Sequence, residues 1–416
     1  MTYLPRLADP ALAELLGAMG GVVVEGPRGC GKTTTSLQHA TSHVRLDSGP
    51  AVLELAELQP LLLLEGKTPR LIDEWQLAPE IWNVVRHEID ERAQPGQFIL
   101  SGSAQPPKDL TRHSGAGRIG RLRMRTMALC ESGHSTSAVN LDELLGGTAI
   151  SGMSAVTYRE LAELCVIGGW PALTNSDHRQ AIAFNRSYLD DLYAQNIPLA
   201  TGVRHSPLRM RRLVEAIARN TATEVSIQRL AQDVSADGGE LDPTTIRRYL
   251  DALTSVFILD ELPAWSIALR SKSRLRTSAK LNLADPSLAC AALGITADRL
   301  AADPEFFGQV FESMVTRDIR SIVEARFGRV YHYRDNTGLE IDLILEFEDG
   351  TWAAIEVKLG ESRIERAEKN LLTLRDSRVD TERVGIPAFL AIVTAGTYAS
   401  TRPSGVHVLP LGALGT

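Results

Sequence analysis

The sequence predicts an α/β protein: a parallel sheet at the N-terminal end, a helical block, a helix-turn-helix with a hairpin, and a second α/β unit. Three observations carry this. Gly21-Val-Val-Val-Glu25 is a short apolar run that opens into a glycine-rich turn and then a helix from about Gly31. Two further apolar runs, at 70–73 and 97–101, flank a helical stretch at 79–92 with Ile81, Val85 and Ile89 at four-residue spacing. Proline in its first turn suits that start, and strands alternating with helices build parallel sheets. Near the other end, Asp349-Gly350 stands between two apolar runs, the signal of a hairpin.

At 416 residues the chain is long enough for two to four domains, each with its own core. With 44% hydrophobic residues it is neither disordered nor collagen-like. Cys30, Cys130, Cys165 and Cys290 are scattered without a CxxC pair, which excludes a disulfide framework or a cysteine zinc site. The leucine run at 61–64 is too short to span a bilayer, and the first residues lack the pattern of a signal peptide. The expectation is a soluble, cytoplasmic protein with no membrane partner.

The elements follow in order. After about residue 130 the α/β pattern weakens through the serine-rich segment 132–140, a linker or excursion. Helical segments dominate from about Thr157 to Arg219. Two short helices are expected at 226–234 and 242–253, the second opened by Asp242 and Pro243, with Ile246, Leu250 and Leu253 as its apolar face. Strands at 256–259 and 280–283 enclose a basic stretch, so this region has winged-helix organisation. The last block, from about 302, begins with a helix and continues into strands.

Charge is unevenly spread. The net charge is −7, yet residues 201–280 hold 13 Lys or Arg against 9 Asp or Glu, so that block is +4 and the remainder −11. Arg270, Lys272, Arg274, Arg276 and Lys280 fall in one stretch without an acid. Such a stretch reads either as a solvated loop or as a surface for nucleic-acid phosphates. With Thr244, Arg247 and Arg248 on the polar face of the second helix, the candidate partner is DNA.

Gly26-Pro-Arg-Gly29-Cys-Gly31-Lys32-Thr33 matches GxxxxGK[ST] in full, between a strand and a helix. The glycines let backbone N–H groups curl around phosphates, and the helix start adds a favourable field. Lys32 would contact the β- and γ-phosphates of ATP, Thr33 would hold Mg²⁺, and Thr34 completes the set. Leu71-Ile-Asp73-Glu74 has the form of a Walker B strand end, with Asp73 toward the magnesium and Glu74 toward the attacking water. The strand Phe98-Ile-Leu-Ser101-Gly-Ser103 ends in hydroxyls; Ser101 is the first candidate for a γ-phosphate sensor and Ser103 the second. Arg118 is a candidate finger toward a neighbour's phosphate, which would require a homo-oligomer.

A second constellation lies near the end. Glu340-Ile-Asp342 is followed fourteen residues after Asp342 by Glu356-Val-Lys358. Alternation puts Glu340 and Asp342 on one face of a strand opposite Ile341 and Leu343, and Glu356 with Lys358 opposite Ile355 and Val357. Carboxylates at buried depth need compensation. Asp342 and Glu356, with the Val357 carbonyl, are hard oxygen ligands suited to Mg²⁺ or Mn²⁺, and Lys358 could orient a hydroxide. Glu312, on the preceding amphipathic helix, is a further carboxylate. The alternative is a pair of half-exposed strands joined by a cross-strand ion pair.

Together these residues resemble a prokaryotic family of predicted ATPases that join an AAA-type P-loop domain to a C-terminal DUF4143 domain. The matching segments are GPRGCGKTT, LIDEWQ, FILSGS, SGAGRI, IGGWPAL, DPTTIRRYLDAL, NLADPSLA and FESMV…GLEIDLI…IEVK. The resemblance implies a P-loop NTPase sheet (1–155), a helical lid (156–220), a winged helix (221–300) and a restriction-endonuclease-like PD-(D/E)xK domain (301–416). It carries roles onto Lys32, Thr33, Asp73, Glu74, Asp342, Glu356 and Lys358. One departure is that 121–125 is more basic, and 130–140 more polar, than the apolar stretch expected after SGAGRI. The function expected is ATP binding and hydrolysis coupled to metal-dependent nuclease-like action on DNA. The alternative is an ATP-driven regulatory switch whose C-terminal domain binds without catalysis.

Overall fold

The computed structural model describes residues 3–105, 114–201, 205–235, 242–265 and 278–416. The N-terminal unit is a five-stranded parallel sheet of β1 (Gly21–Glu25), β2 (Ser42–Arg45), β3 (Arg70–Asp73), β4 (Phe98–Gly102) and β5 (Ile119–Arg123), in the order β2-β3-β4-β1-β5. β1 pairs with β4 on one side and β5 on the other, which is why Val22, Val23 and Val24 form an unbroken buried run. Alternation divides the two faces. Val23, Ile72 and Leu100 pack with Trp82 and Val85 of helix Ile81–Arg92, while Val22, Val24, Leu71 and Ile99 pack with Leu12 and Leu16 of helix Ala8–Ala18.

The segment after β5 departs from the expected boundary at 155. β6 (Val139–Asn140) and β7 (Gly152–Met153) pair with strands near the C-terminus, and Leu141, Leu144 and Ile150 sit in the C-terminal core. The polar, serine-rich segment therefore wraps the last unit and is not the end of the first.

The middle of the chain is helical. Helix Tyr158–Ile167 begins in a capping box of Thr157 with Glu160, and helix His178–Asp191 in one of Asp177 with Gln180. Helix Pro207–Arg219 then leads to β8 (Thr223–Glu224), helices Ile227–Ser235 and Pro243–Ser255, β9 (Leu259–Leu262) and β10 (Lys280–Leu283). The three strands form an antiparallel sheet in the order β8-β10-β9. Leu213, Leu230, Ile246, Leu253 and Leu281 share one core, so these helices and the small sheet fold together.

The C-terminal unit starts with helix Pro304–Glu324. It continues through β11 (Arg329–Arg334), β12 (Glu340–Glu346), β13 (Trp352–Lys358), helix Ile364–Thr373, β14 (Leu390–Thr394), β15 (Tyr398–Thr401), β16 (His407–Pro410) and β17 (Leu414–Gly415). Seven strands line up as β11-β12-β13-β14-β16-β15-β7. Helix Pro304–Glu324 covers one face, over Leu343, Leu345, Ile355 and Val357; helix Ile364–Thr373 covers the other, over Ile344, Ala354 and Ile392. The β11–β12 register slips by one residue, so two residues of β12 stand opposite His332. This bulge puts Ile341 on the face of Ile344 and opposite Leu343, where unbroken alternation predicts Ile341 and Leu343 together. Asp342 lies in the bulge.

Two ion networks fasten the units. Fully buried Asp285, the cap of helix Pro286–Leu293, accepts from Thr126, the Gly169 amide and Arg317 (3.0 Å). Arg317 also pairs with Asp318, which accepts the Leu129 amide. Nearby, Arg125 pairs with Asp260 (2.5 Å) and Glu324 (3.0 Å), and Arg320 reaches Asp260 at 3.1 Å.

Candidate functional site

The phosphate-binding turn leaves the sheet at the end of β1. A Cβ on Gly26 would stand 2.2 Å from the Met124 carbonyl oxygen, so only glycine lets the turn start beside the next strand. Gly31, at φ 105°, opens helix Lys32–His39. Lys32 is buried and its ammonium donates to the Gly26 and Pro27 carbonyls at 3.0 and 2.9 Å, within the curl where phosphate oxygens would replace them. Thr34 is exposed on the first helical turn.

Thr33 donates to Asp73 Oδ1 at 2.9 Å, and Ser101 donates to the same oxygen. Asp73 is 1% exposed, and its Oδ2 has no hydrogen-bond partner; the Arg45 Nε stands 3.6 Å away. A buried carboxylate oxygen left bare beside a threonine hydroxyl fits a hard divalent cation, so Thr33 and Asp73 are residues that would hold Mg²⁺. Glu74 follows at φ 57° and accepts from Gln76 and, at 3.4 Å, from Ser103. Glu74, Gln76, Ser103 and Arg28 line a cavity of about 240 Å³. Ser103 therefore faces this space, whereas Ser101 is spent on orienting Asp73.

The helical block closes the cavity from within the same chain. Tyr188 donates to the Arg28 carbonyl at 3.1 Å, Arg28 donates to Asn196, and Trp170 lies against Gly29. Sequence reasoning found the GGW segment but not this contact.

Arg118 lies away from the phosphate turn of its own chain. It precedes Ile119, which pairs with Gly21 at the start of β1, and the strands are parallel. It therefore sits at the sheet edge opposite the phosphate turn and pairs there with Asp90 at 2.6 Å. No phosphate held by its own chain is within its reach.

In the C-terminal unit the structure brings Glu312, Glu340, Asp342, Glu356 and Lys358 together. The Lys358 ammonium lies 2.9 Å from Asp342 Oδ2, 2.5 Å from Glu356 Oε2 and 2.8 Å from the Val357 carbonyl. These are the three groups the sequence nominates as cation ligands. Asp342 Oδ2 also accepts the Val357 amide, and Glu356 Oε1 accepts from Asn370. Burial and the neighbouring Asp342 charge push Glu356 up to about 8, and burial with the same charge pushes Glu312 up to about 7. Burial would also raise Asp342, but Lys358 and Lys280 outweigh it and hold this carboxyl well below the usual range. Among the described residues no three His, Cys, Asp or Glu side chains converge as a metal-holding group. Two carboxylates and one carbonyl are the donor set that could hold a cation, and the Lys358 ammonium occupies them.

Lys280 requires a correction. Expected on the DNA-facing stretch, it is 2% exposed and points into this carboxylate centre, 2.7 Å from Glu312, 2.9 Å from Glu340 and 3.6 Å from Asp342. The reason is pairing: β10 is the central strand of its sheet, and that sheet docks on β11. The Trp265 amide donates to His332 O at 2.6 Å, the His332 amide to Pro263 O at 2.9 Å, and the His332 ring to Ser278 O. Arg247 and Arg248 are exposed on helix Pro243–Ser255. Arg270, Lys272, Arg274 and Arg276 lie outside the described residues.

A parallel sheet opening into a P-loop, with a threonine and a buried aspartate paired beside it, defines an ATPase-type nucleotide domain. Known families agree: residues 20–132 match the family described as an AAA domain, so the N-terminal unit is an AAA-type P-loop domain. Residues 307–414 match the domain of unknown function DUF4143, and residues 158–299 match another, DUF8612. Uncharacterized proteins of Mycobacterium tuberculosis and Mycobacterium bovis are 27% identical over 411 residues, covering 97% of this chain and 83% of each relative. Among solved structures, a Walker-type ATPase of Pyrococcus abyssi aligns at 12% identity and TM-score 0.41, over 70% of this chain and 96% of that one. The Aeropyrum pernix Orc1 protein, solved in complex with DNA, aligns at 12% identity and TM-score 0.27, over 70% and 93%. No helix among the described residues is long and apolar enough to cross a membrane.

Proposed function

We propose that this protein binds and hydrolyses ATP and uses the nucleotide state to act on DNA through a nuclease-like, Mg²⁺- or Mn²⁺-dependent C-terminal centre. The convergence of Asp342, Glu356 and the Val357 carbonyl on the Lys358 ammonium carries the nuclease-like part. The helix, three antiparallel strands, helix and parallel strand from 304 to 394 run in the order of a PD-(D/E)xK core. The helix–strand–helix–helix–strand–strand order from 207 to 283 is that of a winged helix, and it supports DNA as the partner.

At the P-loop, Lys32 would leave the Gly26 and Pro27 carbonyls for the phosphates, Glu74 would orient water, and Ser103 and Gln76 would hold Glu74 in place. Thr33 and Asp73 would hold Mg²⁺, which would supply charge neutralisation for the phosphates. At the C-terminal centre Asp342, Glu356 and the Val357 carbonyl would hold a divalent cation, which would supply Lewis-acid chemistry toward a phosphodiester, and Lys358 would turn toward the developing charge. Homo-oligomerisation would give Arg118 a neighbour's phosphate to meet.

A nuclease assay on single-stranded, duplex and branched DNA, with and without ATP, tests this reading. Asp342→Asn and Lys358→Ala should each abolish Mn²⁺-dependent cleavage while the chain stays folded; cleavage unchanged in both would remove the nuclease half. A second reading, an ATP-driven switch that grips DNA or a protein without cutting, draws on the same lysines, since all the proposed ligands are already occupied by ammonium groups. It predicts binding without cleavage.

A further inference from the structure

The acids of the C-terminal centre come from the DUF4143 segment, but Lys280 comes from the unit before it. Lys280 is the more deeply buried of the two lysines and the only one that touches Glu312 and Glu340 among the described ion pairs. Four carboxylates, at 312, 340, 342 and 356, face two ammoniums, at 280 and 358. With every acid ionised, as a bound cation would hold them, the centre carries −4 and +2, a balance of −2; without one, burial and the Asp342 charge push Glu312 and Glu356 toward their protonated forms. The adjoining Glu224 and Arg334 pair with each other at 3.6 Å and add nothing to that balance.

We propose that Lys280 is a positioning residue borrowed from the hairpin, a built-in counter-ion that sets the centre's charge to match one divalent cation. Without it the balance would be −3, and the oxygens of Glu312, Glu340 and Asp342 that it now holds would be free for a more strongly bound ion or a second one. The centre is thus composite: the DUF4143 segment supplies ligands and the hairpin sets how many ions they take. The hairpin arms that frame residues 270–276 end on the same strand, β11, so cation stoichiometry and the seating of the hairpin are one property.

This rests on the metal-centre reading above, and the test separates the two. Mn²⁺ is titrated into the full-length chain without nucleotide, and free Mn²⁺ is followed by electron paramagnetic resonance, with Asp342→Asn as the background. Wild type should bind one ion above that background. Lys280→Met should bind Mn²⁺ at least tenfold more tightly or take a second ion, and Lys280→Arg should restore wild-type behaviour. Smaller tightening with one ion, or weaker binding, overturns the proposal. Should Lys280→Met not fold, Glu340→Gln decides, because that side chain is half exposed. It brings the balance to −1 and should weaken Mn²⁺ at least tenfold; a smaller effect overturns the proposal. If wild type and Asp342→Asn bind alike, the metal reading itself falls.

Discussion

Asp73 shows how far single residues can be read. Its place after a buried strand and beside Glu74 nominates it from sequence, but its state comes from three dimensions: one oxygen holds Thr33 and Ser101, and the other is buried without a hydrogen bond, 3.6 Å from the Arg45 Nε. Glu74 is free of that work and faces the cavity. Glu74→Gln should therefore keep ATP binding and lower ATP turnover about 100-fold or more, as expected for loss of a general base. Lys32→Ala should lose both, measured by nucleotide binding and phosphate release. The two serines separate in the same assay. Ser103→Ala should slow turnover with little change in melting temperature, whereas Ser101→Ala should lower stability by about 1 kcal/mol through the lost bond to Asp73. The sequence ranked Ser101 first because it ends the strand; only the pairing of β3 with β4 places it beside Asp73.

At the scale of elements, the hairpin seated on β11 governs the second site. His332 is buried between them and donates its Nε2–H to Ser278 O, which leaves Nδ1 bare, 3.9 Å from Glu224. Burial, with the nearby Lys280 charge, pushes its pKa down from 6.5 to about 4. The unfolded chain takes up this proton first as pH falls. The stability contributed by neutral His332 is therefore complete above pH 6.5 and is lost as pH falls toward 4, by about 3 kcal/mol in all. Melting curves should show that loss between pH 6.5 and 4, and His332→Gln should flatten it; an identical pH profile in the variant would contradict the assignment. β10, β12 and β13 were legible from apolar runs and the Asp349-Gly350 turn, whereas the strand expected at 256–259 lies at Leu259–Leu262 and β8 and β11 went unread. The bulge at Asp342 was not legible, because an extra residue breaks alternation without changing residue type.

Across the whole molecule, Asp285, Arg317 and Asp318 join segments from all three family matches through Thr126, Gly169 and Leu129. Removing one member strands a buried charge. Arg317→Met should cost about 3–5 kcal/mol in denaturant unfolding. If DNA is the partner, neutralising Arg270, Lys272, Arg274 and Arg276 should flatten the salt dependence of binding, by about 0.9 in log–log slope for each phosphate no longer neutralised. Lys280 drops out of that count, since its charge is consumed internally.

The sequence by itself determined the phosphate turn, the Walker B pair, the alternation of strands and helices, and the carboxylates of the D…ExK pattern, because each is written in residues close together along the chain. Tertiary structure alone decided that Arg118 stands at the far edge of its sheet, that residues 133–155 complete the last unit, and that Lys280 turns inward to the acids. Those outcomes depend on which strands pair, and pairing brings together residues up to hundreds of positions apart, where local periodicity carries no information.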